Sequence, residues 1–427
     1  MSQRNTAVRR PRVIPDVVQQ HVDEAVFLHT ARTGLLRAPH VRLQKLQGFE
    51  DRLSAHLEGL GIAGEAARPL CEAALESARP GTLFVATIRA LDSCDWTWLE
   101  SLFAISEKSD RCRSGLFAAF GWTPREMLRG VVAQLFGSAD PFARLVALAA
   151  CSQHRVDPDL GQLRIFEDTD PAVRARAYRT AGELGRREFV SRLGAAVTTE
   201  EADCQFWAAW AAVLLGDRRD ALEVLARFAA GPNSFRDRAL PLALQAMSVA
   251  AGHGLLRSIA PDPAQFRLVI RGSGWVGDPS YVPWLIGFMD HDGLARIAGE
   301  AFTLITGVNG SAWLDLERLP PERLESGPND DPTDANVDMD EDDGLPWPDA
   351  VKVQAWWHAN GQRFQPGMRY FMGQPLNRDD CLRVLKEGFQ RQRIAAARYL
   401  ALLNPGTPLF EWRAPARRQQ RLLAEMT

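Results

Sequence analysis

Residues 170–185 read DPAVRARAYRTAGELG, and this stretch decides the fold. Asp170 is a favoured residue for capping the N-terminus of a helix, and Pro171 suits the first helical turn. Gly185 suits the position just after a helix, where the backbone often turns left-handed. Apolar residues between them recur at helical spacing and fall on one face: Val173, Ala177, Ala181 and Leu184. The stretch therefore predicts one amphipathic helix with both ends marked.

Similar helix starts recur through the chain at intervals of about thirty residues. They lie at Pro80, Asp110, Asp140, Glu200, Asn233, Asp262 and Asp292. Second helical segments are predicted between them, at 95–105, 124–136, 160–166, 188–197, 220–230, 254–260 and 281–289. One amphipathic helix pair cannot bury its apolar face alone, whereas stacked pairs share a core. The spacing therefore predicts an all-α fold, an α-α superhelix of short helix pairs with helical N- and C-terminal caps.

The pattern divides the chain into four predicted segments. These are an N-terminal helical cap (1–79), the repeat array (80–307), an acidic loop or linker rich in Pro and Gly (308–348), and a C-terminal helical region with one further helix pair (349–427). Asp338, Asp340 and Asp342 alternate as in a calcium loop, but Asp343 and Asp349 stand where such a loop needs Gly and Glu. We therefore expect a solvated acidic loop rather than a metal site.

Composition restricts the compartment more than the function. The net charge of −3 gives no overall attraction to nucleic acid or anionic lipid. The six cysteines form no CxxC pair and fall mostly among apolar helical residues, which predicts buried free thiols in a reducing compartment. The N-terminus shows no secretory signal, and no stretch approaches the ~20 apolar residues that span a membrane. We expect a cytoplasmic protein without a membrane partner.

No catalytic motif stands out. The eight histidines show no metal-ligand spacing, and neither a GxSxG elbow nor a phosphate-binding Gly-Lys-Ser/Thr occurs. We therefore predict that the chain is not an enzyme and uses no metal or cofactor. An alternative is a HEAT-like DNA glycosylase, in which a basic groove with aromatics holds the damaged base. Nucleic acid is not the expected partner, because a clustered basic surplus is missing from the linear sequence.

The C-terminal region supplies the binding candidates, since aromatic residues and Arg concentrate at the centres of interfaces. They are Trp356, Trp357, Arg391, Arg393, Phe410 and Trp412. The alternative is that the aromatic residues cover the last repeat against water and the arginines keep this end of the chain soluble.

Two resemblances extend this interpretation. Residues 277–307, GDPSYVPWLIGFMDHDGLARIAGEAFTLITG, resemble a HEAT repeat of the short kind found in bilin-lyase-type proteins. The runs at 46–64, 369–375, 388–406 and 409–419 resemble an uncharacterised proteobacterial family of HEAT-like proteins associated with type VI secretion genes, near spike, PAAR-like and effector genes. That resemblance implies an adaptor or chaperone for a secretion effector or spike component. An immunity protein that neutralises a toxin is the alternative, and no catalytic residue is carried over.

Overall fold

In the computed structural model, which describes residues 13–321 and 340–426, the chain divides into two units. Unit 1 is formed by residues up to Gly34 together with Leu46–Ala150, and unit 2 by Leu35–Lys45 together with the residues from Cys151 onward. The buried apolar side chains from Val18 to Ala150 form one contiguous core. The division after Ala150 therefore lies inside the predicted repeat array, and the predicted N-terminal cap contributes residues to both units.

The helices up to residue 154 are α1 (Pro15–Leu35), α2 (Leu43–Ala63), α3 (Arg68–Ala74), α4 (Pro80–Asp92), α5 (Trp96–Glu107), α6 (Asp110–Trp122), α7 (Arg125–Phe136) and α8 (Pro141–His154). Of these, α4 to α8 begin within one residue of the predicted starts, and α1 to α3 precede the first predicted start at Pro80. Helix α4 packs against both α5 and α6, so that consecutive pairs share one apolar layer. Phe84 and Phe120 are fully buried in that layer.

Unit 2 continues the helix pairs and ends with helices of the C-terminal region. The pairs comprise α9 (Pro171–Glu183), α10 (Val190–Ala196), α11 (Ala202–Leu214), α12 (Asp220–Ala230), α13 (Arg236–Ala246), α14 (Val249–Ile259), α15 (Phe266–Val276), α16 (Val282–Ile286) and α17 (Asp292–Thr306). The C-terminal region comprises α18 (Ala350–Asn360), the short antiparallel strands β1 (Tyr370–Phe371) and β2 (Gln374–Pro375), α19 (Arg378–Glu387), α20 (Gln390–Leu403) and α21 (Ala416–Glu425). Each first helix (α9, α11, α13, α15 and α17) packs against the next first helix. The predicted all-α solenoid is confirmed.

The predicted helix ends form through local hydrogen bonds. The Asp170 side chain accepts from the backbone N–H of Ala172 at 2.8 Å and of Val173 at 3.3 Å. Gly185 has φ +73°, and a Cβ at this position would lie 2.3 Å from the carbonyl oxygen of Gly406. The glycine is therefore required twice, by the left-handed turn and by the close approach of a second backbone.

The predicted second helix at 160–166 is wrong. The Asp157 side chain accepts from the backbone N–H of Asp159, and Arg164 has φ +49°, so the backbone turns twice in a few residues. Only a single 3₁₀ turn forms, at Ile165–Glu167. Leu160 is nevertheless fully buried, because an apolar side chain can fill the core from a turn as well as from a helix.

The acidic segment is only partly as predicted. Residues 322–339, which include Asp338, lie outside the described part of the chain. The described residues 340–348 are not a solvated loop, because Asp342 and Trp347 are buried. Arg296 NH1 lies 2.6 Å from Asp340 Oδ2, and Arg267 NH2 lies 2.7 Å from Asp342 Oδ1. A carboxylate can be buried when hydrogen bonds from arginine replace its hydration. The linear sequence does not indicate that Arg267 and Arg296 lie beside these carboxylates.

Candidate protein-binding surface

The C-terminal region runs along the ends of the first helices of unit 2. The backbone N–H of Tyr370 donates to the carbonyl of Gly277 at 2.8 Å, just beyond the end of α15. The backbone N–H of Leu409 donates to the carbonyl of Glu183, the last residue of α9, at 2.9 Å. The last turn of any helix leaves carbonyls without partners inside that helix. The chain therefore caps the ends of its own repeat helices with non-helical parts of its C-terminal region.

Arg369 is the central residue of this capping. Its Nε donates to the carbonyl of Val276 at 3.0 Å, and its NH2 donates to those of Leu244 at 2.7 Å and Met247 at 2.9 Å. Its NH1 donates to the carbonyl of Gln245. One planar guanidinium thereby joins the ends of α13 and α15, which the single nitrogen of a lysine side chain cannot do.

A buried carboxylate organises the start of unit 2. Glu183 accepts from Arg179 Nε at 2.8 Å and from Ser152 Oγ, and Arg176 NH2 lies 3.5 Å away. Burial alone raises the pKa of Glu183, but Arg179 and Arg176 outweigh it and hold that pKa well below its usual range. Burial lowers the pKa of Arg176 to about 9, so both partners are charged at neutral pH.

Of the predicted binding residues, the three tryptophans are half-buried. Trp356 packs edge-to-face on Phe302 with ring centroids 5.4 Å apart, and the Trp357 ring lies 5.6 Å from that of Phe364. Trp412 carries Arg413 over its ring at 4.5 Å. Each therefore packs on the protein and keeps an accessible edge, and a role in binding stays a prediction for all three.

The other three predicted residues are mostly internal. Arg393 is fully buried and donates to the carbonyl of Leu385 at 2.8 Å and to Gln419 Oε1 at 2.6 Å. Phe410 is buried as well. Neither offers a surface to a partner, which corrects the expectation for these two residues: a cation inside a folded chain needs hydrogen-bonding groups around it, and a large ring fills the core. Arg391 is partly accessible and pairs with Glu300 at 2.9 Å.

Sequence reasoning missed a set of arginines in unit 2 that we call the arginine cluster. Its members are Arg37, Arg179, Arg238, Arg271, Arg398 and Arg413. They belong to α9, α13, α15, α20 and two loops, and α20 packs against both α11 and α13. Within residues 13–321 and 340–426, no carboxylate lies at salt-bridge distance from Arg238, Arg271 or Arg398. None of these three guanidinium groups is neutralised by a direct ion pair with a described residue, although Glu300 and Glu341 act on Arg271 from a greater distance.

Tryptophan rings support these guanidinium groups. The Arg179 and Arg238 guanidinium carbons lie 4.5 Å and 5.9 Å from the ring centroid of Trp207. Arg271 lies 5.5 Å from the ring centroid of Trp275. A ring face attracts a cation and holds it without using its N–H donors. The rings thus help to hold Arg238 and Arg271 in place, and Arg179 is held in addition by its ion pair with Glu183.

Charge repulsion and partial desolvation mark the same surface. Burial and the neighbouring Arg179 lower the pKa of Arg238. Burial, with a contribution from Arg271, lowers the pKa of Arg398 to about 10, and burial lowers that of Arg413 to about 10. All remain charged at neutral pH. Arg238 and Arg413 are nevertheless exposed.

The cluster left only a weak trace in the sequence. Arg179, Arg238 and Arg271 lie on first helices at spacings of about two repeats and one repeat, so an alignment of the repeats would place them on related faces. Arg37 and Arg398 come from opposite ends of the chain, and no local pattern relates them to the others. Only tertiary folding brings both ends to the same place.

The described residues offer neither a metal site nor a membrane-spanning helix. Throughout the described ranges, no group of three or more His, Cys, Asp or Glu side chains is placed to hold a metal ion. Within the same ranges, no helix combines the length and the apolar character that crossing a membrane requires.

Comparison with known proteins identifies the repeat. Residues 158–245 match the family model of HEAT repeats, and the matched region covers α9 to α13 in unit 2. No curated protein and no solved structure matches the chain. HEAT repeats generally mediate contacts between proteins. The match supports a HEAT-repeat-like architecture for residues 158–245, and further helix pairs precede and follow that region.

Proposed function

We propose that this chain is a non-enzymatic scaffold that binds a protein partner at the arginine cluster. The observation that carries the proposal is the cluster itself, a set of accessible guanidinium groups held on tryptophan rings by α9, α13 and α15. Arginine and tryptophan are the residues most enriched where interfaces gain their binding energy. The HEAT repeat supports the same class of function.

The proposed partner is an effector, a spike protein or a PAAR-like component of a type VI secretion system, with this chain as its adaptor or chaperone. Support comes from the resemblance of residues 46–64 and of the C-terminal runs to the secretion-associated family. The C-terminal runs include Arg369 and α20, which cap the solenoid and contribute Arg398 to the cluster. The resembling segments thus include residues that build the proposed surface.

Site-directed photo-crosslinking in the host tests both parts of the proposal. A photoreactive residue in place of Arg37, which is exposed in the cluster, should capture a secretion component. The matched control carries the same residue in place of Arg227, which is exposed on α12. Capture of the same proteins from both positions would refute the assigned surface. Capture of a protein from position 37 with no link to secretion would refute the secretion role.

Two other functions make different predictions. For an immunity protein, deleting the gene should cause the cells to poison themselves, whereas loss of an adaptor should abolish delivery of one effector only. For a nucleic-acid enzyme, of which a glycosylase is the example, purified protein should release bases from alkylated DNA. The arginine cluster is a specific reason to run the second assay, because phosphates also bind guanidinium groups.

A further inference from the structure

Arginines next to the cluster already bind an acidic stretch of this chain. Asp342 Oδ1 accepts from Arg267 NH2 at 2.7 Å and lies 3.7 Å from Arg391 NH1. Arg296 holds Asp340 at 2.6 Å. The carboxylate of Asp342 is almost inaccessible to solvent, with a side-chain exposure of 4%. Helices α15, α17 and α20 together therefore form a surface that recognises closely spaced carboxylates.

This surface continues along two of the same helices into the arginine cluster. Arg271 follows Arg267 by one turn of α15, so the two side chains are neighbours on one helix face. Arg398 follows Arg391 by two turns of α20, which corresponds to a rise of about 10 Å along that helix. Arg267 and Arg391 share Asp342, whereas Arg271 and Arg398 have no carboxylate at salt-bridge distance among the described residues. The arginines on this surface thus hold a carboxylate at one level, and further arginines continue at the next.

We propose that the arginine cluster binds a stretch of the partner polypeptide that is rich in Asp and Glu, as a continuation of the way residues 340–342 are held; this inference rests on the proposed scaffold function. Carboxylates of the partner bind Arg271 and Arg398, and the acidic segment continues from there toward Arg238. Each guanidinium donates two hydrogen bonds to one carboxylate, which aligns an extended acidic segment along the cluster. The bound carboxylates also relieve the repulsion between arginines that now face one another.

A polypeptide fits this surface better than a nucleic acid. Single-stranded nucleic acids bind through a cationic groove combined with aromatic faces on which bases stack. Arginine side chains lie over the rings of Trp207 and Trp275, so a stacking base would have to compete with them for a ring face. The residues that the adjoining arginines do hold are carboxylates, Asp340 and Asp342.

Fluorescence anisotropy with a labelled peptide of alternating Asp and Glu tests the proposal on the full-length chain. The peptide should bind, added salt should weaken it, and its Asn and Gln counterpart should not bind. The double variant Arg271→Glu, Arg398→Glu should lose at least about tenfold in affinity. The neutral double variant Arg271→Gln, Arg398→Gln should lose less, and it serves as the second test if charge reversal disturbs folding.

The matched control reverses two exposed arginines on second helices, Arg227→Glu on α12 and Arg257→Glu on α14. It makes the same change in net charge and should alter peptide affinity less than about twofold. If both double reversals weaken binding of the acidic peptide to the same extent, the binding is nonspecific charge attraction. That result would overturn the assignment. Tighter binding of a DNA oligonucleotide that depends on Arg271 and Arg398 would overturn it in favour of a nucleic-acid surface.

The crosslinking experiment separates failure of this inference from failure of the scaffold function. A partner captured at position 37 through a segment that is not enriched in Asp and Glu would leave the scaffold function standing and refute the acidic ligand. Failure to capture any partner, combined with specific binding of the acidic peptide, would support the acidic ligand and count against the scaffold function.

Discussion

Removing the Arg369 guanidinium should weaken the attachment of the C-terminal region to the ends of α13 and α15. Arg369→Ala eliminates hydrogen bonds to four carbonyls, those of Leu244, Gln245, Met247 and Val276. A hydrogen bond that involves a charged group contributes about 1.5–3 kcal/mol, and water will replace part of that here, since Arg369 is only half-buried. We therefore expect the free energy of unfolding of unit 2 to fall by about 3–5 kcal/mol.

The Lys variant separates geometry from charge. Arg369→Lys keeps the positive charge, but a single nitrogen cannot reach the carbonyls of both helices at once. It should regain only about 1–2 kcal/mol of the loss. Arg363→Ala is the control, because Arg363 is an exposed arginine of the same segment whose only described hydrogen bond is a long one to Asn360, and it should change stability by less than about 0.5 kcal/mol.

Urea denaturation, combined with hydrogen exchange, measures the effect. The two units need not unfold together, so exchange at residues 244–247 and 370–375 reports on the affected unit directly. Protection should fall in both segments of the Ala variant, because each loses its connection to the other. An Ala variant within about 1 kcal/mol of the wild type, or a Lys variant equal to it, would refute the bridging role of Arg369.

Three further predictions concern buried ionisable groups. Glu183→Gln should destabilise unit 2 by about 3–5 kcal/mol in the same assay, because it leaves Arg176 buried without its counter-charge; a loss under about 1 kcal/mol would contradict this. Burial, together with Arg32, lowers the pKa of His29 to about 3, so between pH 6.5 and 3 the unfolded state binds a proton that the folded state does not. Unit 1 should therefore lose about 2 kcal/mol between pH 7 and pH 5, and His29→Phe, measured at both values, should lose less. Of the six cysteines only Cys94 is exposed, so a thiol reagent should modify one residue in native protein and six after denaturation; more than one fast-reacting thiol would show that the helix pairs open.

The series of helix pairs, and the residue at which most of them begin, could be predicted from local sequence alone. Asp170 and Gly185 act through hydrogen bonds and backbone angles within a few residues of their own position. Apolar spacing identifies a core face for the same local reason. Apolar spacing predicted a helix wrongly at 160–166, because a turn and a helix can bury the same apolar residues there.

Which polar residues are internal and which stay accessible depends on contacts between parts of the chain that are far apart in sequence. Arg393 and Arg398 lie on the same helix, yet one is fully buried among hydrogen-bond acceptors and the other is partly accessible beside further arginines. Their sequence neighbours do not distinguish them, because the difference depends on elements far away in the chain. The same holds for Arg37, which reaches the arginine cluster from the opposite end of the sequence. The charge of an arginine is a property of the residue, but its counter-charge, its hydration and its role depend on what folding places around it.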